Sequence, residues 1–104
     1  MPARKAPAAT PSPAGEQPAV ADARRELVLR LKRVEGQLRA VQRMIEEGSD
    51  CDPIAQQLAA ARKALDKAFF ELMACAIEHP EFSDGSEDDV QRVQRLTRTL
   101  ARLA

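Results

Sequence analysis

The stretch from Leu27 to Pro53, LVLRLKRVEGQLRAVQRMIEEGSDCDP, decides the fold. Leu27, Leu31, Val34, Leu38, Val41 and Ile45 recur at alternating spacings of four and three residues. That is the a/d heptad of a helix packing one face against a neighbour. Gly48-Ser49-Asp50 stops the pattern, and Asp52-Pro53 marks a new start, because Asp caps a helix and Pro suits its first turn. A first helix is therefore predicted from about Ala23 to Glu47 and a second from near Asp52. The second seam reads Ile54, Leu58, Ala61, Leu65, Ala68, Leu72, Cys75 and His79, with Pro80 closing it and Phe69, Met73 and Ala76 widening the apolar face. At 1.5 Å per residue the two helices run about 37 and 40 Å. Joined by so short a turn, they make an antiparallel hairpin.

Outward from the hairpin, residues 81–89 (EFSDGSEDD) form an acidic connection. Ser86 and Asp89 stand at capping-box spacing ahead of a short third helix. That helix carries Val90, Val93, Leu96, Leu100 and Leu103 on one face, while Arg92, Arg95, Arg98 and Arg102 crowd the rest. Upstream, residues 1–22 hold five of the seven prolines and no large apolar residue except Val20. Such a stretch buries too little surface to offset its ordering entropy and reads as a disordered Pro/Ala-rich arm. Residues 23–104 remain as the folded domain. About 80 residues are marginal for a lone helical domain, and oligomerisation is the usual remedy. The expected class is all-α, a three-helix protomer paired into an antiparallel four-helix-bundle dimer.

Composition supports this and excludes much else. The 104 residues contain no Trp or Tyr, three Phe and four Gly, an alphabet poor in strand formers. No apolar run approaches the roughly 20 residues of a membrane span. With two cysteines and no apparent signal peptide, the chain reads as cytoplasmic, where thiols stay free to bind or react. One His, few Ser and no Gly-rich phosphate loop argue against an enzyme with a nucleophilic triad. The remaining enzymatic alternative is a small helical dimer of the chorismate mutase type, which works by electrostatic stabilisation.

The zero net charge hides an asymmetry. Residues 24–43 hold seven cations (Arg24, Arg25, Arg30, Lys32, Arg33, Arg39, Arg43) against Glu26 and Glu35, whereas residues 78–89 hold six acids and no Lys or Arg. A basic stripe along a helix is the footprint of a phosphate binder, and a solvated helix face is the plainer alternative.

The run RLKRVEGQ (Arg30–Gln37), the Met-Ile-Glu-Glu helix end, Cys51 at the head of the second helix and QQLAAARKAL (Gln56–Leu65) resemble the CsoR/RcnR family of bacterial repressors. Its members sense copper, nickel, formaldehyde or sulfane sulfur, and the resemblance spans about Arg24 to Leu103. It implies an all-helical dimer, usually assembled into a tetramer, that binds double-stranded operator DNA without a helix-turn-helix. Transferred position by position, the DNA contacts would be Arg30, Lys32, Arg33 and Lys67, followed by Arg39 and Lys63.

At the effector site the chain departs from that pattern. Copper sensors of the family place a His 25 residues and a Cys 29 residues beyond the first Cys, both supplied by the other subunit. Here Cys51 is followed at those positions by Ala76 and Pro80. Cys75 and His79 stand one residue earlier, an offset that turns a helical side chain by about 100°. Three effector chemistries follow. Cys51, Cys75 and His79 could form a shifted soft-metal site for Cu(I), Zn or Ni across the dimer, the ion being the effector rather than a resident cofactor. Cys51 could attack sulfane sulfur with Cys75 resolving the product; the helix N-terminus favours an anion there, and Asp50 and Asp52 oppose it. Pro2 and Cys51 could be joined by formaldehyde. The plainer alternatives are a packed Cys75 and a helix-end His79.

Overall fold

The computed structural model describes residues 18–82 and 85–104. Three helices make up most of them: α1 (Pro18–Glu46), α2 (Cys51–Glu78) and α3 (Asp89–Leu103), with one 3-10 turn at Pro80–Phe82. No strand occurs among the described residues, and the all-α class holds. α1 and α2 pack against each other as the antiparallel hairpin, and α3 packs on α2.

The first turn forms as its residues dictate. Gly48 adopts φ +76°, its N–H donates to the Ile45 carbonyl, and the Ser49 N–H donates to the Met44 carbonyl. These two bonds are a Schellman closure, which satisfies orphan carbonyls of α1 and needs a residue tolerant of the left-handed region. α2 then begins at Cys51, one residue before the expected Asp52, with Asp50 at the N-cap but making no side-chain capping bond. Pro53 falls in the first turn, where its missing N–H has no intrahelical partner to lose. At the far end His79 takes extended backbone (φ −124°, ψ 108°), as a residue before proline must when the helix stops.

The predicted arm needs correcting at its inner edge. Residues 1–17 lie outside the described residues, but α1 starts at Pro18 rather than Ala23. Pro18 opens a helix at no hydrogen-bond cost, and Val20 is completely buried. A second correction concerns the cap of α3. The capping box is formed by Asp88 and Gln91, not Ser86 and Asp89: the Gln91 N–H donates to Asp88 Oδ1 at 2.8 Å, and the Asp88 N–H donates to Gln91 Oε1 at 3.4 Å. Asp89 instead accepts from Arg92 Nη1 at 2.7 Å.

Arg92 supplies a third correction. It was expected among the outward arginines, yet it is 5% exposed. Its Nη2 donates to the Ile77 carbonyl at 3.1 Å, one of the last-turn acceptors of α2 that the helix itself cannot satisfy. The guanidinium thus pins α3 to the negative end of the α2 dipole. Beside it Leu96 packs into a small cluster with Met73 and Ala76, flanked by Phe69, Ile77, Phe82 and Leu100. The open end of the hairpin is held from the other side by Arg24, whose Nη2 donates to the Glu81 carbonyl at 2.9 Å while the guanidinium lies 4.3 Å from the Phe82 ring centroid.

The seam between α1 and α2 is made of small residues. Val34 and Val41 are buried on one helix, Ala61 and Ala68 on the other. Leu58, Leu65 and Leu72, one heptad apart on α2, remain between 41% and 49% exposed. Two of them border an apolar cleft of ≈ 570 Å³ with Leu38, Ala55, Ala59, Ala61 and Arg62.

Truncating Leu96 to Ala should lower stability in urea unfolding by about 2–4 kcal/mol, the cost of a cavity in a packed cluster. Asp88→Ala should cost about 1 kcal/mol through loss of the cap. If the cap variant proved the more damaging of the two, α3 would be held by its terminus and not by its packing.

Candidate functional site

Two groups of residues carry chemistry: the cations of α1 and α2, and the two cysteines with His79. Among the cations the structure makes a division that the charge count does not. Arg25 is paired with Asp22, and Arg24 is engaged at Glu81 and Phe82. Arg30 faces α2, where its Nε donates to Glu71 Oε2 at 3.0 Å and its Nη2 lies 2.9 Å from Glu71 Oε1. This fork-to-carboxylate geometry is the strongest form of a side-chain ion pair. Lys32, Arg33, Arg39 and Arg43 are all exposed, with Glu35 as the one acid among them. Lys32 and Arg39 stand a heptad apart on the side of α1 away from Val34 and Val41. Lys63 and Lys67 are exposed on α2 at i, i+4 spacing. Of the six expected DNA contacts, five are exposed with no ion pair among the described residues, and Arg30 is tied within the protomer.

Glu71 was not singled out from sequence. The signal was available: in an antiparallel hairpin turning near residue 50, positions 30 and 71 come opposite each other. Glu71 also lies four residues before Cys75, on the same side of α2. Cys75 lines a cleft of ≈ 330 Å³ between the helices together with Glu26, Leu27, Arg30, Glu71 and Glu78. Burial pushes the Cys75 thiol above its ordinary range, and the negative charges of Glu78 and then Glu71 push it further. All three effects disfavour the thiolate.

Cys51 has the opposite setting. It is exposed and is the first residue of α2. Both cysteines are free thiols. Twenty-four residues of helix, about 36 Å, separate Cys51 from Cys75. One protomer cannot bring them together, nor Cys51 to His79. His79 is half-buried at the α2 C-cap, its Nε2 3.9 Å from Glu78 Oε2. No group of three or more His, Cys, Asp or Glu able to hold a metal occurs among the described residues. The position where copper sensors carry a His is Ala76, 7% exposed and packed against Met73 and Leu96. A methyl group in an apolar cluster offers no donor, so the family's Cys-His-Cys copper set does not fit this chain. Pro2, the formaldehyde candidate, lies outside the described residues.

In a Cys51→Ala chain, alkylation of Cys75 by iodoacetamide should rise with pH later than for a small free thiol. The sign follows from the cleft: burial and two carboxylates hold the proton on sulfur until the ordinary thiol range has been passed. Glu78→Gln should move the curve part of the way back. A profile coinciding with that of the free thiol would place Cys75 outside the cleft.

The comparisons with known proteins agree with this geometry at the level of family. The family model described as "Metal-sensitive transcriptional repressor" matches residues 23–102. A Serratia marcescens protein described as "Uncharacterized protein in bioA 5'region" is 28% identical over 80 residues, which cover 72% of this chain and 88% of that protein. No solved structure matches the chain. No described helix is long and apolar enough to cross a membrane. With its helical hairpin, its basic α1 face and a family match over most of its length, the chain belongs to the metal-sensitive transcriptional repressor family, of the CsoR/RcnR type.

Proposed function

We propose that this chain represses transcription by binding operator DNA as a dimer or higher oligomer, and that chemistry at Cys51 releases it. The observation that carries the reading is the contrast between the two thiols: Cys51 is exposed at a helix N-terminus, whereas Cys75 is half-buried among carboxylates. The exposed leucines 58, 65 and 72 support pairing of two α2 helices. An antiparallel pairing centred on Leu65 would bring Cys51 opposite His79 of the partner subunit, with Cys75 of the partner subunit one turn, about 6 Å, away. The effector residues would then join two protomers.

In this reading the Cys51 thiolate attacks the sulfane sulfur of a polysulfide. A persulfide forms on Cys51, and a chain one sulfur shorter leaves. Cys75 of the partner subunit can then displace the outer sulfur as hydrosulfide, giving an inter-subunit disulfide; the cysteines are oxidised and the outer sulfur reduced. The setting of Cys75 makes this second step the slower one. A bridge between subunits changes how the α2 helices pack and so misaligns the cations of the two protomers, a coupling between separate sites.

The DNA face comprises Lys32, Arg33, Arg39, Lys63 and Lys67. Their long cationic side chains reach phosphates and base edges, and binding should weaken steeply with salt. Arg30 joins this face only when Glu71 releases it. A second reading is favoured by the family's metal sensitivity: Cys51, with Cys75 and His79 of the partner subunit, would take a soft ion such as Cu(I), Zn or Ni by ligand softness.

The test is fluorescence anisotropy of the reduced protein on DNA from upstream of its own gene, challenged in parallel with polysulfide and with anaerobic Cu(I). Release by polysulfide alone, reversed by a reductant and absent in Cys51→Ala, is the expected outcome. Release by Cu(I) alone would replace thiol chemistry with the metal reading. Glu71→Gln, which frees Arg30, should tighten operator binding several-fold, while Lys32→Gln with Arg33→Gln should weaken it and flatten its salt dependence by about one unit of log–log slope per lost phosphate contact.

A further inference from the structure

α3 carries charge that neither the hairpin nor the effector site uses. Leu96 and Leu100 turn one side of the helix toward α2. Arg95, Arg98 and Arg102, at i, i+3 and i+7, fall on the other side and are exposed. With Thr99 they line an open cleft of ≈ 510 Å³.

Three acids at the head of α3 are already engaged. Glu87 holds Arg95, with both carboxylate oxygens within 3.0 Å of Arg95 Nε. Asp88 caps the helix, and Asp89 holds Arg92. No Asp or Glu follows Asp89 in the sequence. Among the described residues, Arg98 and Arg102 meet no carboxylate. A cation in the last turn is favoured by the helix dipole. That accounts for Arg102, but not for a run of arginines along one face reaching back two turns. Guanidinium forks match phosphate oxygens, and the rise from Arg98 to Arg102 is about 6 Å, a span that lets the two address neighbouring phosphates on one strand.

We propose that the outward arginine face of α3, Arg98 and Arg102 with Arg95 beside them, is a second contact surface for the phosphate backbone of double-stranded DNA, separate from the cations of α1 and α2. It rests on the reading of the chain as a DNA binder and extends it. Phosphate contacts position a protein without reading sequence. This face therefore strengthens binding to any duplex equally, and operator preference stays with the hairpin. The engagement of Glu87, Asp88 and Asp89 within the protomer argues against the other occupant, the acidic connection of a second copy.

The experiment compares the full reduced chain with an Arg98→Gln/Arg102→Gln variant by anisotropy over a salt series. The probes are a duplex from upstream of its own gene and a duplex of unrelated sequence and equal length. Both side chains are exposed, so the variant should keep its helicity by circular dichroism and its sedimentation behaviour. The expected result is a loss of affinity of roughly tenfold or more at low salt, the same on both duplexes, with a log–log slope shallower by about 2 for each protomer docked. If the unaltered chain binds the upstream duplex and the variant binds with the same slope, the α3 proposal falls and the repressor reading stands. A variant that sediments as a smaller species with an unchanged slope also overturns it, making the face a joint between copies. If the unaltered chain binds neither duplex, both readings fall.

Discussion

The close approach of α1 and α2 is the constraint on which everything else rests. The residues buried where they meet are valines on one side and alanines on the other. Small side chains let two helices approach along their length, but they remove little apolar surface from water, at about 25 cal/mol per Å². A seam of this kind aligns the helices without saturating their apolar faces. The leucines of α2 are left facing outward, and the protomer presents a face suited to a second helix pair. At the open end of the hairpin two arginines add to the small apolar cluster around Met73 and Leu96: Arg24 satisfies the Glu81 carbonyl and Arg92 the Ile77 carbonyl.

Charge in this chain follows the same logic. The zero net charge balances 16 acidic residues against 16 basic ones, some of which are internal fasteners while others face outward. Arg24, Arg30, Arg92 and Arg95 each meet a carbonyl or a carboxylate within the protomer. Among the described residues two exposed cationic surfaces remain, one along the middle of α1 with Lys63 and Lys67 of α2, and one at the end of α3. Arg30 stands between these roles. It sits at the edge of the α1 surface, yet its partner Glu71 borders the cleft that holds Cys75. A change in charge at that thiol is felt by Glu78 and then by Glu71. In the proposed mechanism, the path from Cys75 to the DNA face through Glu71 and Arg30 would be one turn of helix and one ion pair long.

The hairpin was legible in the sequence because heptad spacing, a Gly-Ser-Asp stop and a Pro in the next first turn all point to one arrangement. The Cys51 position was legible for the same reason, being fixed by the turn. What escaped was side-chain commitment. Periodicity places Arg92 on the polar side of α3, but a carbonyl at the end of α2 draws it inward. Capping-box spacing was present twice, at Ser86–Asp89 and Asp88–Gln91, and local pattern alone does not choose between them. Gln91 has the longer reach back to the cap backbone, and Asp89 is drawn to Arg92. The Arg30–Glu71 pair was within reach of simple hairpin arithmetic. It was missed because arginine on a basic helix reads as free charge until its opposite number is located.

Hairpin topology also sets an order of events in time. Contacts near the Gly48 turn join residues close in sequence and form first, since closing a short loop costs little entropy. The ladder then zips toward the open end, where Arg24 must find Glu81, 57 positions away along the chain. The last part of the hairpin to close is also the part nearest the helix ends, where local opening breaks the fewest contacts. Cys75 lies at that end. Its exposure to reagents is therefore governed by the breathing of the helix ends as well as by its resting burial, and a thiol that looks sheltered in the closed hairpin is reached each time the zipper opens by a turn.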